Sequence, residues 1–152
     1  FGMDVVYYDS VRDAQREKQC GLIYASLQEV FSRADAVTIH VTLSASTRHL
    51  LGAKEIAFMK PTAYLVNTSR GAVIDEKALV LALQRKQIAG AALDVFEQEP
   101  NLSLGLADLE NVVLTPHIAS ASREARDKMA ELAAQNIIAA LAGKTPPNLV
   151  QA

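Results

Sequence analysis

Three short stretches of the sequence each end an apolar run with a reactive polar side chain. They are Asn67-Thr68-Ser69-Arg70-Gly71, Asp94-Val95-Phe96-Glu97-Gln98-Glu99-Pro100 and Thr115-Pro116-His117-Ile118-Ala119-Ser120. The groups offered are a guanidinium on Arg70, a carboxylate on Glu99 and an imidazole on His117. A planar, permanently charged guanidinium matches a carboxylate through two parallel hydrogen bonds. An imidazole is the side chain best suited to moving a proton near neutral pH. Together the three predict a site that holds an anionic substrate and transfers a proton. Taken singly, Arg70 reads equally well as a surface arginine before a glycine turn, and a lone loop histidine carries no message. The set carries the reading.

Such groups need a scaffold that brings loop after loop to one edge. The sequence supplies one in alternating strands and helices. Strands are expected at Val5–Tyr8, Ala36–Val41, Ala63–Val66, Ala91–Leu93 and Val112–Leu114. Helices are expected over 12–18, 26–33, 54–59, 75–84 and 122–141. Ser26 and Glu29 form a capping box for the second, and Asp75 is the N-cap of the fourth. In the last helix Met129, Leu132, Ala133, Asn136, Ile137, Ala140 and Leu141 share one mostly apolar face, which Gly143 and Pro146-Pro147 bring to an end. The strands read as continuous apolar runs, the mark of a parallel sheet covered on both faces. The fold class is therefore α/β, a doubly wound parallel sheet of Rossmann type. In such a sheet the carboxyl ends of the strands line the ligand crevice.

Half of the 152 residues are hydrophobic, which suits an aliphatic core and excludes a disordered chain. A net charge of −2 recommends neither nucleic acid nor an anionic membrane as partner. No run of about 20 apolar residues predicts a membrane span. The single cysteine, Cys20, has no partner for an internal disulfide, so a reducing, cytoplasmic location is expected. No metal is expected.

A dinucleotide-binding unit opens with a strand and a G-x-G-x-x-G loop, followed about 20 residues later by an acid. The acid is present as Asp9, at the end of the Tyr7-Tyr8 strand, where it would accept from the adenosine ribose hydroxyls. The alternative for Asp9 is a plain strand-end turn residue. The glycine loop and its strand are not found, and Phe1-Gly2-Met3 reads as the tail of the helix that would follow them. A gap in the sheet beside Val5–Tyr8 is expected, and the 152 residues alone are not expected to make a competent enzyme. Asp9 favours NAD over NADP. Arg12 stands near enough to meet a 2′-phosphate, so NADP stays open.

The order and spacing of the three motifs resemble the D-isomer-specific 2-hydroxyacid dehydrogenases, including glyoxylate/hydroxypyruvate reductases and D-3-phosphoglycerate dehydrogenases. The resemblance implies that residues 1–142 are part of an NAD-binding domain. Residues 143–152 would then be a tail returning to a substrate domain that lies outside the sequence. It implies that Arg70 holds the substrate carboxylate and polarises the keto oxygen. His117 acts as acid/base, and Glu99, just before Pro100, pairs with it and raises its pKa. Glu97 is expected to be a solvated loop charge. Thr68, Ser69 and Asp94 match positions lining the nicotinamide side. Val41, Thr42 and Thr47 belong to the same wall, as do His117, Ala119 and Ser120. Thr42 stands where the family usually has Pro. His40 and His49 are expected to be a strand-end and an exposed histidine without function.

The implied activity is hydride transfer between NAD(P)H and a small 2-keto acid such as glyoxylate or hydroxypyruvate, in a complete protein that is a homodimer. Phosphite dehydrogenase is a rival of the same fold. Formate dehydrogenases are disfavoured because they carry Gln as the histidine's partner. A rival of another class is a non-catalytic, NAD-sensing binding protein such as the superfamily's transcriptional corepressors.

Overall fold

The computed structural model describes residues 2–150. They divide into two compact units, Phe1–Pro116 and His117–Ala152.

The first unit alternates strands and helices. In order they are β1 (Val6–Tyr7), α1 (Ala14–Cys20), β2 (Ile23–Tyr24), α2 (Leu27–Arg33), β3 (Ala36–Ile39), α3 (Ala53–Ile56), β4 (Tyr64–Asn67), a 3-10 turn (Gly71–Val73), α4 (Glu76–Gln84), β5 (Gly90–Leu93) and β6 (Val112–Leu114). Local chemistry starts and stops these elements. The Asp13 carboxylate accepts from the Arg16 N–H at 2.9 Å, and Gly21 ends α1 at φ 69°. The capping box at Ser26 and Glu29 forms as expected. Asp75 caps α4 by accepting from the Ala78 N–H at 3.1 Å.

All strand pairs are parallel, in the orders β1-β2 and β3-β4-β5-β6. Ile39, Asn67 and Leu93 stand in register across three strands, so the carboxyl ends of β3, β4 and β5 lie level. The loops that follow them therefore emerge along one edge. The fold is the expected α/β, Rossmann-like parallel sheet. No described strand pairs with β1 on the side away from β2, or with β3 on the side away from β4. The expected gap beside β1 is thus present. β2 was not expected; two residues, Ile23 and Tyr24, carry no readable period and are ordered by pairing with β1.

The core joins α2, α3 and α4 to one face of the larger sheet. Phe31, Leu51, Ile56, Leu65, Leu79, Leu83, Ile88 and Leu106 are its largest fully buried apolar residues. Two expectations need correction here. Cover on both faces is not seen within the first unit, because Ala36, Thr38 and Tyr64 are exposed while Val37, Ile39 and Leu65 are buried. β3 and β4 alternate in burial, whereas β5 between its neighbours is buried along most of its length. The expected helix tail at Phe1-Gly2-Met3 is also absent. Phe1 lies outside the described residues, Gly2 has φ 69°, and Met3 is irregular chain.

The second unit is built on α5 (Arg123–Leu141), capped by the Ser122 hydroxyl accepting from the Ala125 N–H at 3.1 Å. The expected apolar face exists in the sequence but not as a buried stripe. Met129, Ile137 and Leu141 are exposed, and no described residue of α5 is buried. Asn136, placed on that face, instead anchors the tail. Its amide donates to the Leu132 carbonyl at 2.8 Å and the Asn148 side chain at 3.0 Å, and its oxygen accepts from the Asn148 N–H at 3.0 Å. Among the described residues no helix is long and apolar enough to cross a membrane.

Candidate active site

Asn67 ends β4 fully buried and shapes the loop that bears Arg70. Its side-chain oxygen accepts from the Ser69 N–H and the Ser69 hydroxyl, both at 3.0 Å. Its amide donates to the Arg70 carbonyl at 3.0 Å. A buried amide with its hydrogen bonds satisfied in this way fixes a turn more firmly than a solvated one. Arg70 is exposed and donates from Nη1 to the Ser69 carbonyl at 2.6 Å. Among the described residues no carboxylate pairs with it. The next residue, Gly71, lies flat against the Phe96–Glu97 backbone, where an added Cβ would collide with the Phe96 carbonyl. Glycine here lets the Arg70 loop and the Glu99 loop touch.

Asp94 follows β5 and is buried. It accepts from the Thr115 hydroxyl at 2.5 Å, and its N–H donates to the Asn67 carbonyl at 3.0 Å. The ends of β4, β5 and β6 are thereby tied together. Glu99 accepts from the Phe96 N–H at 3.0 Å, which folds its carboxylate back over its own loop. The β3 loop is closed by Thr47, whose hydroxyl donates to the Thr42 carbonyl at 2.6 Å and accepts from the Ser44 N–H at 2.8 Å.

A cavity of about 300 Å³ opens at this edge, lined by His40, Val41, Thr42, Leu43, Ser69 and Arg70. It gathers four of the sequence-derived residues, Val41, Thr42, Ser69 and Arg70. Thr68 is exposed in the same loop. A larger cavity of about 480 Å³, lined by His49, Asp75, Lys77, Glu97 and their neighbours, gathers none of those residues. The smaller one is the candidate site. Asp9 lies beyond the end of β1, where its carboxylate accepts from the Val11 N–H at 3.0 Å and the Ser10 hydroxyl at 3.3 Å.

His117 opens the second unit, joined to the end of β6 through Pro116. Its φ of 55° is uncommon for a residue with a Cβ. Ala119 and Ser120 are exposed in the turn that follows, closed by the Ala121 N–H donating to the Ile118 carbonyl at 2.9 Å.

One expectation fails in the neighbouring network. Glu97 is not a solvated loop charge, since its side chain is only 14% exposed. It meets His49 Nε2 at 2.7 Å and Arg48 at 3.4 Å. His49 is exposed as expected, yet it is an anchor for Glu97. Asn67, Glu76, Thr115 and Gly71 carry structural weight at the site that sequence reasoning had not assigned. The signal for Asn67 and Thr115 lay in the motifs themselves, as polar residues inside otherwise apolar strand ends.

Parallel strands in Rossmann order, a carboxylate after β1 and polar loops at the carboxyl edge define a dinucleotide-binding α/β domain. Residues 1–119 match the D-isomer specific 2-hydroxyacid dehydrogenase, NAD binding domain. The chain belongs to that family, and residues 1–119 match its NAD-binding domain. It is 52% identical over 151 residues to a glyoxylate reductase of Korarchaeum cryptofilum, covering 99% of the chain and 46% of that protein. The D-isomer specific 2-hydroxyacid dehydrogenase of Lactobacillus delbrueckii ssp. bulgaricus, solved in its NAD-complexed form, superposes with TM-score 0.87 at 32% identity, covering 99% of this chain and 49% of that one. The NADPH-dependent glyoxylate/hydroxypyruvate reductase of Sinorhizobium meliloti, solved with NADP and malonate, gives 0.84 at 37% identity, with coverage of 91% and 42%. The chain thus spans less than half the length of the relatives it matches.

Proposed function

We propose that the complete protein transfers a hydride between NADH and a small 2-keto acid of the glyoxylate or hydroxypyruvate kind. The observation that carries this is Arg70, whose carbonyl is fixed by buried Asn67 and whose guanidinium has no carboxylate partner among the described residues, at the rim of a small cavity. An unneutralised guanidinium at a strand's carboxyl edge suits a substrate carboxylate. The chain's donor set fits both ends of the cofactor: the Asp9 carboxylate for the adenosine ribose, and the Val41–Thr42 backbone with Thr47, Thr68, Ser69 and Asp94 for the nicotinamide side. When bound, NADH supplies the hydride.

In this reading Arg70 clamps the substrate carboxylate and polarises the keto oxygen. His117 gives its proton to that oxygen as negative charge develops there, and takes it back in the reverse direction. In the same reading Glu99 is the residue that orients the His117 ring. Ala119 and Ser120 complete the wall beside His117. Residues 143–152 return to a substrate domain that sets which keto acid is taken, and the complete protein works as a cytoplasmic homodimer.

The test is NADH oxidation by the complete protein, followed at 340 nm with glyoxylate and hydroxypyruvate. Saturable turnover is expected. Tight NADH binding with no turnover of any 2-keto acid would sink the enzyme reading in favour of an NAD-sensing protein.

A further inference from the structure

Five side chains gather at the carboxyl ends of β1 and β2: Tyr7, Asp9, Arg12, Glu17 and Tyr24. Arg12 reaches Glu17 through a closed fork, Nε to Oε1 and Nη2 to Oε2, both at 2.8 Å. Tyr7 steadies the fork by donating its hydroxyl to Glu17 Oε1 at 3.0 Å, while the Asp13 N–H donates to the Tyr7 oxygen at 3.2 Å. The Arg12 guanidinium carbon lies 5.2 Å from the centroid of the Tyr24 ring, within cation–π reach. The Tyr24 hydroxyl donates to the Asp9 backbone carbonyl at 3.3 Å, which ties the Tyr24 ring to the Asp9 turn. Glu17 is mostly buried against these partners, at 13% side-chain exposure, whereas Arg12 remains at 59%. The other arginine nearby, Arg16, pairs with Asp13.

We propose that Glu17 sets the cofactor preference of this domain. By closing the fork on Arg12 it keeps the guanidinium from a ribose 2′-phosphate, so the site takes NADH rather than NADPH. The inference rests on the NAD-binding reading above. Arg12 is the one cation that stands just past Asp9 and shares Tyr24 with it. Arginine recognises a phosphate through a two-donor edge of the guanidinium; here Glu17 occupies the Nε/Nη2 edge and neutralises the charge. The charges point the same way. A 2′-phosphate arriving at Asp9 meets two carboxylates and one guanidinium, so it meets net repulsion. With Glu17 neutral, the two remaining charges cancel and the fork stands open. The shifts agree with this. Glu17 is held below the usual carboxylate range, first by the hydrogen bond from Arg12, and the same bond raises Arg12 above its ordinary value.

The test measures equilibrium binding of NADH, NADPH and the probe adenosine 2′,5′-bisphosphate to the complete protein by calorimetry. Glu17→Gln is expected to tighten NADPH and the bisphosphate by about tenfold while NADH moves less than about twofold. Adding Arg12→Ala to that variant is expected to erase the gain. Arg12→Ala alone is expected to weaken NADPH binding by less than about threefold, because the guanidinium is already engaged and its loss only adds diffuse repulsion. A Glu17→Gln protein without the gain, or a gain that survives Arg12→Ala, would overturn the inference. So would a loss of about tenfold or more in NADPH affinity in Arg12→Ala alone, which decides the matter even if Glu17→Gln fails to fold. Wild-type protein that does not bind NADH would overturn the cofactor reading and this inference with it. NADH binding with no effect of Glu17→Gln overturns the inference alone.

Discussion

Glu76 and Glu97 hold each other's backbones. The Glu97 N–H donates to Glu76 Oε2 at 3.0 Å, and the Glu76 N–H reaches Glu97 Oε2 at 3.4 Å. This clasp joins the start of α4 to the loop that carries Glu99. Glu76 is buried, and its other oxygen, Oε1, has no partner among the described residues. The clasp works with Gly71, which presses on the same backbone, and with His49 on Glu97 from the far side. Losing either carboxylate leaves a mostly buried N–H unpaired, which costs on the order of 1–3 kcal/mol. Glu76→Ala and Glu97→Ala should each lower urea stability by that amount. The double variant should lose less than the two single losses combined, because they break one shared device. Additive losses would show that the two residues act separately.

Arg70→Lys keeps the charge and loses the planar fork. The variant should raise KM for a keto acid and lower kcat, since ground-state and transition-state contacts share that fork. NADH affinity measured by fluorescence titration should move much less than either. Unchanged steady-state kinetics would remove Arg70 from the substrate site.

His117→Asn should lower kcat by at least about 100-fold, the usual scale for losing a general acid. The measurement is steady-state reduction of glyoxylate by the complete protein, wild type against variant, at one fixed pH. Near-wild-type turnover would end the assignment.

Glu29 gives a pH signature outside the site. Its carboxyl is held below the ordinary range, first by the Ser26 hydroxyl at 2.6 Å and then by the Ser26 N–H at 2.9 Å. A carboxyl depressed in the folded state adds stability above its unfolded value of about 4.3. That stability disappears as pH falls through the lower, folded value. The stability difference between wild type and Glu29→Gln should therefore be full at pH 7 and shrink towards pH 3 in urea titrations. A difference independent of pH would mean the capping box gains nothing from charge.

The sequence by itself determined what neighbouring residues decide. Ser26 and Glu29 sit three apart, so their box closes within one helical turn, and Asp75 caps α4 for the same local reason. β3 to β6 were legible because a buried strand must be apolar. The three motif loops were legible because each follows such a strand, and parallel strands bring their ends to one edge. Asp9 could be read from its place at the end of β1.

Tertiary structure alone decided the rest. β2 exists because β1 offers it hydrogen bonds. Glu97 looks like any loop carboxylate until Arg48, His49 and Glu76, far off in sequence, close around it. α5 shows an apolar stripe, yet burial depends on what lies against it rather than on spacing. Arg12 and Glu17 were visible as charges, but not as a fork, since Arg12 precedes the Asp13 cap and its direction is set by packing on Tyr24, while Tyr7 holds Glu17. Local bonds follow from spacing along the chain. Other charges are assigned only when distant segments meet: Glu97 is engaged by Arg48 and His49, while Arg70 has no carboxylate partner among the described residues.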